Sequence, residues 1–449
     1  MKLNEHNFFP RNLNADIPLA DRGEGSWVWD ENGNKYLDAC AGANVAGIGH
    51  GIAKIGNAMA EQSKKIAFVP PRHFLNKPTI ELTKRLVDLA PEGFNRVLLL
   101  SGGSEAMESA FRISRNYQIL VGNESKYKII SRWQGFHGNT LGTDAVGGHT
   151  RRRKMYSPMI KSFPHIAQAC CYRCTYEKTY PGCNILCAKD LENNILREGP
   201  EYISAFSAET IVGAAAAAVT PVKEYYPIIR EVCNRHDVLW IADEVMAGVG
   251  RTGTFASIEQ WGVLPDLIVM AKGLSCGYAP LSAILINDKV FKAFDDKKSA
   301  YMGGNTYNAH PVTATGGIAV LDYIKENKIF EGVKEKGVLL GNRLKEIAKN
   351  NPIVGDVRGL GLFWGMEFIK DRDSKTPFDV NLGVCDIVVN KAMKKGLIVY
   401  PVIGCADSER GDGILICPPL NINEGEIEFL YEKLNETLLE VGKELGVSK

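Results

Sequence analysis

The stretch VLWIADEVMAGVGRTG, residues 238–253, decides the fold class of this chain. Its first five residues are all apolar, which is typical of a strand that is buried on both faces of a parallel sheet. Two acids, Asp243 and Glu244, follow directly. Because an ionised carboxylate without a partner is costly to bury, we expect a cation, a metal or a strong hydrogen-bond donor beside Asp243.

Short apolar strands alternate with helices around this stretch. Between residues 200 and 290 the order is ISAFSAE (strand), PIIREVCNRH (helix), VLWIADE (strand), SIEQWGV (helix), DLIVMAK (strand) and LSAILI (strand). This alternation predicts an α/β fold with a large, doubly wound, mostly parallel sheet. A hairpin is predicted at 26–38, and the strands and helices after Pro352 predict a smaller α+β domain.

Composition excludes several classes of function. Among 449 residues, 53 are basic and 52 acidic, so the net charge of +1 gives no general attraction to nucleic acid or to a membrane surface. No apolar run reaches the length of a membrane span. The N-terminal MKLNEHNFFPRN has no apolar segment of the kind a signal peptide needs, and we therefore expect a cytoplasmic protein.

The eleven cysteines are an odd number spread through a long chain, which indicates reduced thiols and not a disulfide framework. Five of them fall in CCYRCTYEKTYPGCNILC, residues 170–187. This spacing could bind zinc or an iron–sulfur cluster, but it matches no standard pattern well. We expect a cysteine-rich loop without a metal.

A second strand, in PDLIVMAKGLSCG at 265–277, is predicted to end at Lys272. A lone lysine in such a place is normally a surface residue. Ligands of parallel sheets, however, bind at the carboxyl ends of the strands, where both Lys272 and Asp243 are predicted to lie. Such a pair suits an aldehyde cofactor with a pyridine ring, because the lysine can hold the aldehyde and the aspartate can pair with the protonated ring nitrogen.

Two further stretches could complete a site for such a cofactor. In SGGSEAMES, the backbone of Gly102, Gly103 and Ser104 opens a helix and could bind a phosphate. In WQGFHGNT, Phe136 and His137 follow a strand and could cover the ring. Taken alone, each stretch would more often be an ordinary helix start or ordinary packing.

Six stretches in order resemble the class III (omega) aminotransferases, which are pyridoxal-phosphate enzymes of fold type I. They are SGGSEAMESAFRISR, WQGFHG, ADEVMAGVGRTGTF, PDLIVMAKGLSCGYAPLSA, GNTYNAHP and VGDVRGLGLFWGMEF. The resemblance covers about residues 20 to 440. It implies pyridoxal 5'-phosphate as cofactor and a homodimer whose active sites are shared between subunits.

The resemblance also implies residue roles. Lys272 would carry the cofactor as a Schiff base, Asp243 would pair with the ring nitrogen, and Glu209 would be the active-site glutamate. The remaining cofactor-binding residues would be Gly103 and Ser104 at the phosphate, Phe136, His137 and Val245 at the ring, and Thr306 of the partner subunit.

The resemblance implies a division into an N-terminal segment of the small domain at 1–65, a large cofactor-binding domain at 66–325, and the rest of the small domain at 326–449. The two termini would therefore form one domain together.

One departure from the family concerns the substrate. Members that act on α-amino acids tend to have an arginine three places before a Pro-Pro pair, and GILICPPL has Leu415 there. We therefore expect an amine or an ω- or β-amino compound as donor, such as taurine, β-alanine, a β-aminoacyl thioester or a diamine, with pyruvate or 2-oxoglutarate as acceptor. Arg410 in ADSERGDG is the candidate for a mobile arginine, with Arg358 as the next.

Three alternatives stay open at this point. The basic run HTRRRK, 149–154, could meet a coenzyme A phosphate or a sulfonate, although such a run is usually a solvated surface. An epimerase or aminomutase of the same fold would keep every cofactor residue. GVGRTG, 248–253, matches a dinucleotide-binding pattern and raises a nicotinamide dehydrogenase, although the match is weak.

Overall fold

The computed structural model describes residues 7–9 and 17–447. Its strands are β1 (Ala20–Glu24), β2 (Trp27–Asp30), β3 (Lys35–Asp38), β4 (Phe94–Leu100), β5 (Lys128–Arg132), β6 (His165–Ile166), β7 (Ile203–Glu209), β8 (Leu239–Asp243), β9 (Leu267–Met270), β10 (Ser282–Asn287), β11 (Val354–Leu360), β12 (Phe363–Phe368), β13 (Leu397–Ile398), β14 (Tyr400–Ile403) and β15 (Asp412–Ile416).

Its helices are α1 (Ala41–Asn44), α2 (Ala53–Lys65), α3 (Lys77–Leu89), α4 (Gly103–Leu120), α5 (Leu141–Val146), α6 (Thr150–Arg153), α7 (Leu186–Glu198), α8 (Tyr225–Arg235), α9 (Asp288–Asp296), α10 (Pro311–Glu326), α11 (Ile329–Asn350), α12 (Val384–Lys394) and α13 (Glu424–Glu444). Short 3₁₀ turns connect several of these elements.

The large sheet has seven strands in the order β4-β10-β9-β8-β7-β5-β6. The strands from β9 to β6 pair in parallel, and only β10 runs antiparallel to its neighbours β4 and β9. Side chains of β8 alternate between two apolar cores: Trp240 packs in one, and Leu239 and Ile241 pack in the other. An apolar run buried on both faces needs helices on both sides, and the predicted doubly wound, mostly parallel sheet is confirmed.

The smaller α+β part unites the two ends of the chain. β13, in the C-terminal part of the chain, pairs in parallel with β3 and extends the N-terminal sheet to the order β1-β2-β3-β13. A second antiparallel sheet has the order β11-β12-β15-β14. The predicted hairpin is present as β2 and β3, with Gly33 at φ +81° in the turn, a conformation that favours glycine. The division at residues 65/66 and 325/326 stays a prediction.

Two local predictions were wrong. The expected helix SIEQWGV is only a 3₁₀ turn, Ser257–Trp261, because Gly262 follows it in a left-handed conformation (φ +68°), which ends a helix. β9 ends at Met270, so Lys272 does not end the strand but begins a 3₁₀ turn, Lys272–Leu274. In residues 7–9 and 17–447, no helix is both long and apolar enough to cross a membrane.

Candidate active site

The carboxyl ends of β7 and β8 lie side by side, since Glu209 pairs in register with Asp243. Both residues line a cavity of about 950 Å³, called the central cavity below. The start of α4 and the segment after β9 line it as well. The cavity therefore lies at the strand ends, where α/β sheets are expected to bind ligands. Its lining includes Ser104, Phe136, His137, Glu209, Asp243 and Lys272.

Asp243 is the acid at the end of β8, and its side chain is 4% exposed. His137 Nδ1 lies 2.8 Å from Asp243 Oδ2. The backbone N–H of Val245 donates to Asp243 Oδ1 at 3.0 Å. The predicted strong donor therefore exists, and these two bonds fix the direction in which the carboxylate faces the cavity.

Glu209 is buried beside Asp243 and accepts two backbone hydrogen bonds, from Phe136 N at 2.8 Å and from Gly213 N at 3.0 Å. Burial raises the pKa of Glu209, and the neighbouring charge of Asp243 raises it further. Its own carbonyl oxygen is held by Arg132 and by the Tyr226 hydroxyl. The Glu209 carboxylate, by accepting from Phe136 N, holds the loop that carries Phe136 at the end of β7.

Glu244, next to Asp243 in the chain, does not line the central cavity. Its carboxylate accepts bonds from the Thr210 hydroxyl at 2.6 Å, Ser257 N at 2.9 Å and Ile258 N at 2.8 Å. Burial raises its pKa to about 7 in spite of these bonds. Glu244 therefore holds the turns after β8 in place, a structural role that the sequence analysis did not anticipate.

Lys272 reaches the central cavity from the turn after β9. Its φ of +38° lies in the left-handed region, which is unfavourable for a residue with a side chain and is often found at functional sites. The surrounding protein lowers the pKa of its amine by desolvation. A larger fraction of Lys272 is thus uncharged near neutral pH than for a surface lysine, and an uncharged amine is the nucleophilic form.

The first turn of α4 forms another wall of the cavity with Ser101, Gly102, Gly103 and Ser104. A Cβ atom at Gly103 would lie 3.1 Å from Val245 Cγ1, so a larger residue would crowd this wall. The Ser104 hydroxyl lies 3.3 Å from both the backbone N–H and the side-chain oxygen of Asn139. Backbone N–H groups at the start of an 18-residue helix give this wall a preference for anions.

A family model described as aminotransferase class-III matches residues 10–438. The uncharacterised aminotransferase YodT of Bacillus subtilis is 37% identical over 433 residues, which are 96% of this chain and 97% of that protein. The chain belongs to the class III aminotransferases. The resemblance stated from the sequence is confirmed.

Two other similar proteins agree with this assignment. The putrescine–pyruvate aminotransferase of Pseudomonas aeruginosa is 34% identical over 414 residues, 92% of this chain and 88% of that protein. The omega transaminase of Pseudomonas jessenii, whose crystal structure is in complex with PMP, is 30% identical in sequence to this chain. The two structures superpose with a TM-score of 0.92 over 99% of this chain and 98% of that chain. The fold type I architecture predicted from the sequence is therefore confirmed.

Class III aminotransferases use pyridoxal phosphate, and the residues of this chain's cavity fit that cofactor. A buried carboxylate, already oriented by His137, suits a cationic ring nitrogen. The N-terminus of α4 suits a phosphate, and Lys272 offers an amine whose pKa is lowered. The dehydrogenase alternative is wrong: the chain is an aminotransferase, and GVGRTG is followed by turns and not by an α-helix.

The structure brings together most of the residues to which the resemblance gave a role in this class III aminotransferase. The central cavity is lined by Gly103, Ser104, Phe136, His137, Glu209, Asp243, Val245 and Lys272. Thr306 is exposed in the loop before α10 and does not line the cavity of its own chain. Its predicted contribution to the site of the partner subunit stays a prediction.

The two candidate substrate arginines lie outside the central cavity. Arg410 has a 66% exposed side chain and forms an ion pair with Asp407, with 2.7 Å between Nε and Oδ2. The Arg358 side chain is 10% exposed, and it pairs with Asp356 and Glu367 and donates to the carbonyl oxygens of Ala216 and Ala217. The contacts of Arg358 are those of a structural ion pair, whereas Arg410 lies on a surface loop.

Several residues of the cavity wall were not predicted from the sequence. These are Asn139, Asp144, Arg152, Tyr156, Met246 and Tyr400. Arg152 belongs to the run HTRRRK, which was interpreted mainly as solvated surface. No periodicity distinguishes it from Arg151 and Arg153, since only the fold shows which of the three arginines turns inward.

The eleven cysteines are all free thiols. Cys171, Cys174, Cys183 and Cys187 line a small cavity of about 20 Å³, separate from the central one. Over the described part of the chain, no group of three or more His, Cys, Asp or Glu side chains is arranged to hold a metal ion. The expectation that this loop binds no metal stays a prediction.

Proposed function

We propose that this class III aminotransferase transfers the amino group of an ω- or β-amino compound or a simple amine to a keto acid such as pyruvate or 2-oxoglutarate. The observation that carries the proposal is Leu415. It is fully buried in β15 and pairs in register with Tyr400 of β14, whose side chain lines the central cavity. An apolar residue here provides no fixed guanidinium for the α-carboxylate of an amino acid.

The similar proteins support this substrate class. One of them is named for a reaction of putrescine with pyruvate, and another is called an omega transaminase. The wall of the cavity around Ala43, Val45, Ala214 and Met246 is largely apolar, which suits the carbon chain of an amine.

The residues at the strand ends would divide the work as follows. Pyridoxal phosphate, when bound, supplies a conjugated ring that takes up the electron pair left behind when a proton leaves the substrate carbon. Asp243 would keep the ring nitrogen protonated, and His137 would hold Asp243 in position for this. Lys272 would remove the proton from the carbon that bears the substrate amine and deliver it to the cofactor side.

Other residues would position and enclose the reactants. Val245 and Phe136 would pack on the two faces of the ring, and Gly103 and Ser104 would bind the phosphate through the first turn of α4. Glu209 would fix the Phe136 loop through its bond to the Phe136 N–H. Each of these roles is part of the proposal.

We also propose that two chains form a homodimer in which Thr306 of the partner subunit completes the site. The support is the position of Thr306 on an exposed loop with Met302 and Tyr307, two large apolar side chains that are 80% and 62% exposed. Free thiols in all eleven positions fit the cytoplasmic location expected from the sequence.

The experiment is a screen of amine donors against pyruvate and 2-oxoglutarate with the purified enzyme. We expect transfer from putrescine, β-alanine, taurine or simple amines, and little transfer from α-amino acids with bulky side chains. Equal or better rates with α-amino acids other than the acceptor's own product would contradict the proposed substrate class. Isomerised donor without a new amino acid would instead indicate an epimerase or aminomutase.

A further inference from the structure

Arg152 is the basic residue that stands out in the wall of the central cavity. Apart from Lys272, it is the one lysine or arginine that lines this cavity within residues 7–9 and 17–447. The acids in the same wall, Asp144, Glu209 and Asp243, outnumber the basic residues. The charge of an arginine in the wall of a substrate cavity is costly to desolvate, so an interaction with a ligand is a natural explanation for its position.

The guanidinium of Arg152 is held from two sides. Its Nη2 donates to the carbonyl oxygen of Ala214 at 3.0 Å, and its carbon atom Cζ lies 4.6 Å from the centre of the Phe136 ring. The helix α6 that carries it follows His149, a buried residue whose Nε2 lies 3.0 Å from the carbonyl oxygen of Ile403. These contacts orient a planar group with five N–H donors beside the ring that would cover the cofactor.

Arg152 shares the central cavity with the amine of Lys272. It is one of the groups that lower the pKa of Lys272, after the larger effect of desolvation. Since Arg152 and Lys272 line the same cavity, one substrate molecule of sufficient length can reach both side chains. The cavity volume of about 950 Å³ is near the upper end for ligand pockets, so it has room for a donor of several carbon atoms beside the cofactor.

We infer that Arg152 binds the carboxylate at the far end of an ω-amino acid donor, so that the enzyme prefers such donors over uncharged amines of equal length. The inference rests on the proposed function, because it names the donor class of the same site. A guanidinium suits a planar carboxylate through two parallel N–H bonds, and its five donors allow it to keep the bond to Ala214.

This role differs from that of the other arginines. Arg358 is paired inside the protein with Asp356 and Glu367, and Arg410 lies on the surface in a pair with Asp407. Arg152 is oriented in the cavity wall. It would therefore act as a fixed selector for the donor, whereas Arg410 would serve the keto acid only by moving in.

The test compares matched donors in the half-reaction without acceptor. The absorbance of the bound cofactor monitors the progress of this half-reaction. The pairs are 5-aminopentanoate with pentylamine and 4-aminobutanoate with butylamine, in which a methyl group replaces the carboxylate. Arg152→Gln should lower kcat/KM about 10- to 100-fold for the two amino acids and less than about threefold for the two amines. Arg152→Lys should restore part of the preference because it restores the charge.

Arg151→Gln is the matched control, since Arg151 is exposed and does not line the cavity; it should leave all four rates unchanged. Equal losses for acids and amines in Arg152→Gln would mean that Arg152 only supports Phe136, and unchanged rates for the acids would also overturn the inference. If the Gln variant does not fold, Arg152→Lys decides: a preference for the acids that is reduced but still present, with unchanged amine turnover, supports the role, whereas equal losses for acids and amines overturn it. A wild-type enzyme that reacts with pentylamine but not with 5-aminopentanoate overturns this inference alone. A wild-type enzyme that reacts with none of the four donors but with taurine or putrescine also overturns this inference alone, whereas one that reacts with no amine or ω-amino compound of the wider screen overturns the proposed function.

Discussion

The strand ends in the cavity and the loop at 406–413 hold their charged residues in opposite ways. Asp243 is buried with two hydrogen bonds, one from the backbone and one from a histidine. Arg410 is two-thirds exposed, and its partner Asp407 lies three residues away on the same loop. Exposed ion pairs of this kind are worth only about 0–1 kcal/mol, so Arg410 can leave its partner at low cost, whereas Asp243 is fixed.

The difference assigns different tasks to the two regions. A group that must meet the cofactor in every catalytic cycle benefits from being oriented in advance by buried bonds. A group that must serve a keto acid and then make way for an uncharged amine benefits from a weak, exposed partner. Substitutions at the two places should therefore damage different steps.

The largest effect is expected at Asp243. Asp243→Asn should still allow the cofactor to bind to Lys272, but should slow proton removal from the donor about 30- to 1000-fold, a loss of about 2–4 kcal/mol of transition-state stabilisation. The reason is that a neutral amide does not keep the ring nitrogen protonated. Stopped-flow absorbance of the donor half-reaction measures it, and a rate within about threefold of wild type would show that Asp243 is not the ring partner.

A second effect concerns the contribution of Glu244 to the free energy of unfolding. Glu244 is buried like Asp243, but its carboxylate faces the turn that begins at Ser257. Its folded pKa of about 7 lies above its ordinary value of 4.5. Between these values the folded state binds more protons than the unfolded state, so the contribution of Glu244 to stability falls as the pH rises. The fall amounts to about 3 kcal/mol across that interval.

Urea unfolding of wild type and Glu244→Ala at pH 5 and at pH 8 tests this. The variant lacks the acceptor for Thr210, Ser257 and Ile258, so it should be clearly less stable at pH 5, and the difference between the two proteins should shrink at pH 8. A difference that grows with pH would mean that Glu244 is stabilised in its charged form.

The third effect is expected at the loop. Arg410→Ala should raise the apparent KM for the keto-acid acceptor and leave the half-reaction with an uncharged amine unchanged. Loss of one charge-assisted bond to a carboxylate should weaken the binding of the keto acid by about 1.5–3 kcal/mol. Each half-reaction is followed separately. Equal damage to both, or to neither, would show that Arg410 does not move in to bind the acceptor.

The residues at the strand ends were predictable because burial restricts the roles that an acidic side chain can have there. An apolar run followed by an acid left few possibilities for Asp243, and the resemblance then supplied its role and that of Lys272. The sequence did not separate Asp243 from Glu244. Successive side chains leave the chain in different directions, and only the fold shows that one faces the cavity and the other faces the turn at Ser257.

The substrate end of the cavity was less predictable. Arg151, Arg152 and Arg153 have the same side chain, and only Arg152 contacts Ala214 and Phe136, which lie far from it in the sequence. Likewise, Asp356 and Arg358 are alternate residues of β11 and share a face, but Glu367 reaches Arg358 only because β11 and β12 form a hairpin. Such contacts depend on tertiary packing, which no local pattern encodes.

The most direct test of the account is where the cofactor is attached. The purified enzyme is reduced with borohydride, digested, and the peptides are mapped by mass spectrometry. The account predicts a yellow protein that loses its colour on reduction and carries one pyridoxyl phosphate adduct per chain, on Lys272. No adduct, or an adduct on a different lysine, would contradict the assignment of Lys272 and with it the arrangement of the site around Asp243.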